Sequence, residues 1–237
     1  MRRFFRNFLL GLFISVCLST PVLAEQCPNP PFHISPFGEV KGLKKKSAKS
    51  DVGLVVSVLL KEYLSHAKKL PPNLSIEGAL SGQANHYQAD IVQGSHRYAG
   101  AFDFPDTLND FLIDVALQIA KDAGAKLKAK DLLPYLNKAR SPETYIAYAQ
   151  GMTELESSTP GSLRKAVSFF EKAIENDYNH VSAYLGLSEA LATMGNSETR
   201  ARRELEKAKI LNPVLAKNKT SRIEQLLKGE RKEPCRQ

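Results

Sequence analysis

Between residues 142 and 213 the chain carries one helical-hairpin spacing twice, and this pattern constrains the fold more than any other feature. In the second copy Tyr184, Leu187, Ser188 and Leu191 fall on one helix face. Ala201, Leu205 and Ala208 fall on the next, and Pro213 closes the unit. The first copy runs Tyr145, Tyr148, Ala149, Met152 and Leu155, then Ala166, Phe170 and Ala173, with Tyr178 where a closing proline would stand. Small residues recur at matched places: Ala149 with Ser188, Ala166 with Ala201, Ala173 with Ala208. There they let two antiparallel helices approach closely while the large residues fill the gaps. Any amphipathic helix pair shows apolar residues at i, i+3 and i+4, but the recurrence of both small and large positions favours a true repeat.

On these positions the hairpins resemble tetratricopeptide repeats, whose period is about 34 residues. The first copy departs from the pattern in a longer turn around 156–161 and in lacking the closing proline. The resemblance implies that the first helix of each hairpin lines a concave groove. That groove would take Glu143, Ile146, Gln150 and Glu154 from one copy and Leu185, Glu189 and Thr193 from the other. Its carboxylates, with no Lys or Arg among them, suit a neutral or basic segment of a partner protein on electrostatic grounds. The basic clamp by which such repeats grip a terminal carboxylate is missing. Because about three units are needed to bury a continuous core, flanking helices are expected to cap the pair. Asp106 to about Ala123, or the stretch with Leu132, Leu133 and Leu136, would cover the first hairpin. The helix after Pro213, with Ile223, Leu226 and Leu227, would cover the second.

Arg2, Arg3 and Arg6 precede an apolar run from Phe8 to Leu18, and Val22-Leu23-Ala24 offers a signal-peptidase site. The run is shorter than the roughly 20 apolar residues of a membrane span. The reading is a signal peptide over 1–24 and a periplasmic product with no stable membrane anchor, with secretion as the alternative. Cleavage takes three arginines and no acid from a chain of formal charge +8. It leaves two cysteines, Cys27 and Cys235, in a compartment where they can form a disulfide tying the ends of the chain together. Loop entropy puts an upper bound of about 5 kcal/mol on such a bridge. Two unpaired thiols are the alternative.

Residues 25–49 read as an extended basic linker, with Pro28, Pro30, Pro31 and Pro36 followed by Lys41, Lys44, Lys45, Lys46 and Lys49. No aromatic residues interleave with these lysines, as binding to single-stranded nucleic acid would need. Residues 50–138 read as a small α+β domain. A helix through Leu54, Val55, Val58, Leu59 and Tyr63 precedes a strand at Leu74, Ile76 and Leu80, and a second strand passes Ala89, Ile91 and Val92 to Gly94. After Pro105 comes an amphipathic helix through Leu108, Leu112, Val115 and Ile119. Ala89-Asp90-Ile91-Val92-Gln93-Gly94-Ser95 and Pro142-Glu143-Thr144-Tyr145 resemble parts of an arrangement in bacterial sensory proteins, where a TolB-like domain precedes tetratricopeptide repeats. That family continues into a strand meander after the glycine, whereas this sequence runs almost at once into Pro105.

The histidines have no His-Glu-x-x-His or other close metal spacing, and there is no Gly-x-Ser-x-Gly elbow or phosphate loop. A hydrolase would have to draw on Asp90, Ser95, His96 and Asp103, but adjacent Ser95 and His96 point to opposite faces of an extended chain. The expectation is therefore a mostly α protein: a small α+β domain over 50–138, a tetratricopeptide-like α-α superhelix over 139–213, and a capping helix and tail over 214–237. It would bind another protein, without a cofactor or metal, as a scaffold in an envelope assembly or signalling system. The runner-up is a periplasmic sensor binding a small molecule through the α+β domain.

Overall fold

The computed structural model describes residues 33–35, 37–39, 49–83, 85–136 and 138–229. The expected signal segment, most of the lysine-rich stretch and the Cys27–Cys235 pairing lie outside them. The described part is mostly helical with a small sheet.

Two short strands, β1 (His33–Ile34) and β2 (Gly38–Glu39), run parallel to one edge of β3 (Ser75–Gln83), and α1 (Lys49–Leu64) makes the crossover. His33 faces Ser75 but Gly38 faces Ala79, so one extra residue is taken up between the two pieces, as in a bulge. Phe37 occupies that bulge and is buried. A Cβ at Gly78 would lie 1.7 Å from its ring, and one at Gly53 would lie 2.5 Å from its carbonyl oxygen, so both glycines are there to admit Phe37. Part of the stretch read as linker is thus sheet edge, a pairing too short to show an alternating pattern.

Antiparallel to β3 lies β4 (His86–Gln93), and antiparallel to β4 lies β5 (His96–Asp103). The sequence reading has only two strands here. The third arises because Gly94, at φ +59°, opens a two-residue turn of the kind that matches strand twist. Tyr87, Ala89 and Ile91 alternate with Tyr98 and Phe102 on the inner face, covered by α1 and α2 (Leu108–Asp122). Phe102 stacks on Tyr87 at 5.6 Å and on Phe111 of α2 at 5.2 Å between ring centres.

A short helix α3 (Ala129–Leu132) and a 3-10 turn (Leu133–Tyr135) lead to five further helices: α4 (Pro142–Ser157), α5 (Pro160–Asn176), α6 (Val181–Met194), α7 (Glu198–Leu211) and α8 (Pro213–Leu227). Their starts are written in the sequence. Ser141, Thr159 and Asn212 each accept a backbone N–H of the first turn, and a proline follows each of them at the first helical position. Each helix packs on the next, and α6 also packs on α4 and α8. Phe170 of α5 fills a slot between α4 and α6, where a Cβ would lie 2.7 Å from its ring at Gly151 and 2.5 Å at Gly186. Ser188 is small for packing and also donates to the Ala201 carbonyl at 2.7 Å, tying α6 to α7.

One apolar core runs through both parts. Phe104, just after β5, meets Tyr145 of α4 at 5.9 Å between ring centres. Beside them the Tyr63 hydroxyl donates to Asn109 Oδ1 at 2.5 Å, and Asn109 Nδ2 donates to the Tyr145 hydroxyl at 2.7 Å. The sheet part and the helical part share this core.

Candidate partner-binding face

The first helices of the two hairpins, α4 and α6, carry the residues expected to line a groove. On α4 the stripe Glu143, Ile146, Gln150 and Glu154 follows helical spacing, with Glu143 exposed and the others half-buried. Gln150 Nε2 donates to Asp51 of α1 at 3.4 Å, and Glu154 lies 3.6 Å from Lys165 of α5. One side of α4 is covered by α1, and polar contacts mark the margin: the Tyr148 hydroxyl donates to Glu62 at 3.1 Å, and Lys61 Nζ to Glu156 at 2.8 Å.

On α6 the outcome differs from the expected open groove. Leu185 is 1% exposed, and the Glu189 side chain, also buried, pairs with Arg222 of α8 at 2.9 Å. Thr193 is half-buried and donates to the Glu189 carbonyl of its own helix at 2.8 Å. Every residue from Val181 to Ala192 is buried. The cause is legible in α6 itself, which apart from Glu189 is apolar or small on all sides and so demands cover all round. The cover is α8, which brings Leu215, Ala216 and Ile223 against the core and packs on α7 as well. Glu189 meets a basic side chain, as its charge requires, but the cation belongs to the same chain.

Tyr145, Tyr148 and His180 form a closed seam beneath the α4 stripe. The His180 ring lies 5.1 Å from that of Tyr148 and 6.5 Å from that of Tyr145. Its Nδ1 accepts the Ala183 N–H at 3.2 Å and so caps α6, which leaves the ring proton on Nε2. Burial lowers its pKa to about 4, with nearby Asp177 opposing that shift. Burial likewise raises the hydroxyl pKa of Tyr145 and Tyr148. Asp177 is itself buried and accepts the backbone N–H groups of Arg140 and Asn179, at 3.2 and 3.1 Å.

The four residues a hydrolase would draw on are not brought together. Asp90 is held by Arg97, whose hydrogen bond lowers the carboxyl pKa. His96 faces Asp122 at 3.5 Å, and Asp103 faces His86 at 2.8 Å. Ser95 is exposed in the turn. Asp90 lies opposite Ala99 and Asp103 opposite His86, well apart along the sheet. Among the described residues no group of three or more His, Cys, Asp or Glu side chains could hold a metal ion, and no helix is long and apolar enough to cross a membrane.

Three contributors escape a reading of the repeat pattern. Gly151 and Gly186 are isolated glycines inside helices, a signal that usually has a packing reason, and here that reason is Phe170. Arg222 sits in a helix of unremarkable pattern, and nothing in the sequence pairs it with Glu189. No protein-family model matches the chain, and no curated protein matches it.

Proposed function

We propose that this chain is an exported scaffold protein of tetratricopeptide type that binds a neutral or basic segment of another protein, in an envelope assembly or signalling system. The observation that carries the reading is the half-exposed stripe on α4. Glu143, Ile146, Gln150 and Glu154 follow one another along the inner helix of the first hairpin, with one apolar anchor among polar and acidic groups. Two stacked hairpins, α4–α5 and α6–α7, support the repeat assignment, because the inner helices α4, α6 and α8 touch in succession. Export rests on the basic residues and apolar run of the first 24 positions. Binding falls to the first hairpin because α8 holds the equivalent place on the second.

A photo-reactive amino acid at Ile146, introduced in intact cells, should cross-link a discrete partner that the same probe at Lys172 on α5 does not. Ile146→Asp should abolish capture of that partner while the fold persists. Equal yields from both probes would remove the α4 stripe as the binding face.

A further inference from the structure

Apart from the α4 stripe, the molecule has a strongly basic end assembled from two distant stretches of sequence. After α1, Lys68 bridges to Lys126, beyond α2: the Lys68 N–H donates to the Lys126 carbonyl at 2.9 Å and the Lys126 N–H to the Lys68 carbonyl at 3.0 Å. A reciprocal pair of this kind sets the two side chains on the same face about 5 Å apart. Two like charges placed directly opposite each other oppose folding, and both are exposed. Lys69, Lys128 and Lys130 are exposed as well, and none of the five forms an ion pair with a described residue. At His66 burial lowers the ring pKa, Glu62 opposes that shift and Lys219 of α8 reinforces it, so one acid and one further lysine border the region. Acidic relief is sparse: no acid lies between Glu62 and Glu77, and Asp131 is the single acid between Asp122 and Glu143.

Three residues after Lys130, past the exposed Asp131, the chain exposes a large apolar side chain. Leu133 is 59% exposed at the start of the 3-10 turn, one helical step from Lys130 and on the same face, while its neighbour Leu132 is fully buried. Lysine rather than arginine supplies all the charge. Lysine is a flexible point charge without the fork geometry that selects a paired carboxylate, and no Phe, Tyr or Trp stands among these lysines to stack on bases. Diffuse positive charge around one protruding leucine is the chemistry of a surface that rests on an anionic bilayer, with cations at the headgroups and the apolar tip below them.

We propose that the end formed by Lys68, Lys69, Lys126, Lys128, Lys130 and Leu133 docks reversibly on a bilayer of anionic phospholipid. This end shares no residue with the α4 stripe. The full chain is to be tested by flotation with vesicles of phosphatidylcholine alone and of phosphatidylcholine with phosphatidylglycerol. Each lysine near such a surface contributes roughly fivefold. The triple variant Lys68→Glu, Lys126→Glu, Lys128→Glu should therefore lose about a hundredfold or more of the preference for anionic vesicles, and Leu133→Ser should lose severalfold. The triple variant Arg164→Glu, Lys172→Glu, Arg202→Glu, at exposed positions of α5 and α7, changes net charge equally and should keep most of the preference. Equal losses in the two triple variants, no preference in the parent chain, or a preference that survives reversal of the bridged lysines would each overturn the proposal.

Discussion

The two inner helices α4 and α6 sit at equivalent places in successive hairpins, yet one keeps a half-exposed stripe and the other is buried from Val181 to Ala192. The covers explain the difference. At the margin of the α4 stripe α1 offers polar contacts, with Asp51 accepting from Gln150, Glu62 meeting Tyr148 and Lys61 meeting Glu156. Against α6, α8 offers Leu215, Ala216 and Ile223, with one ion pair at the rim. Polar cover at an exposed margin contributes little and leaves a helix available. Apolar cover contributes roughly 1.5–3 kcal/mol for each large side chain fully buried, and closes the helix off. Matching positions in successive hairpins thus need not be equally exposed, because the neighbouring helices decide which face remains open.

The largest expected effect tests the slot both hairpins share. Phe170→Ala removes a fully buried ring held between Gly151 and Gly186, and thermal or denaturant unfolding should show a loss of about 3–5 kcal/mol. Gly186→Val should also destabilise, by about 1–3 kcal/mol, because its methyl groups enter the space the ring occupies. Parent-like stability in both variants would mean that the helices do not meet around Phe170.

Acid should weaken the seam under α4. The folded His180 pKa is about 4, below its ordinary 6.5. The unfolded chain therefore binds the extra proton first, and stability is present above pH 6.5 and is lost as pH falls towards 4. The full span is about 3 kcal/mol. The lowered pKa of partly buried His66 adds in the same direction. His180→Asn keeps an acceptor for the α6 cap without a titrating ring, so its unfolding free energy should fall less between pH 7 and 5 than that of the parent chain.

Smaller changes separate the two covers. Arg222→Ala leaves the buried Glu189 carboxylate without its partner. It should cost about 1 kcal/mol, since the arginine itself is well exposed. Asp51→Ala, which removes the 3.4 Å contact to Gln150, should cost no more than about 0.5 kcal/mol. A reversal of that order in denaturant titrations would undo the contrast between a firm cover on α6 and a slight one on α4.

The hairpins were legible because helix packing imposes a period: the aromatic and alanine positions of 142–213 are buried as their spacing predicts, among them Tyr145, Tyr148, Phe170, Ala201 and Ala208. The helix starts at Ser141, Thr159 and Asn212 carry a local signal as well, a side-chain acceptor followed by proline, which a search for the hairpin period passes over. What was not legible depended on distant partners. The β1 and β2 pieces pair with a strand some forty residues away through a bulge and offer too few residues for alternation to register. In β5, Ala99, Gly100 and Ala101 give the middle of the strand little β-forming character, so its neighbour β4 carries the pairing. Leu185 and Glu189, expected to line a groove, are buried on α6, and which face of that helix stays open depends on where α8 lies. No local pattern records that.

The contrast between the two inner helices is tested most directly by thiol labelling. Ile146→Cys and Leu185→Cys are each made in a chain whose natural cysteines are replaced by serine, and their reaction rates with a soluble maleimide are compared under native conditions. The account predicts rapid modification at position 146 and modification at least about a hundredfold slower at 185, where access requires α8 to open by about 3 kcal/mol or more. Comparable rates at the two positions would contradict it, because α6 would then be as open as α4.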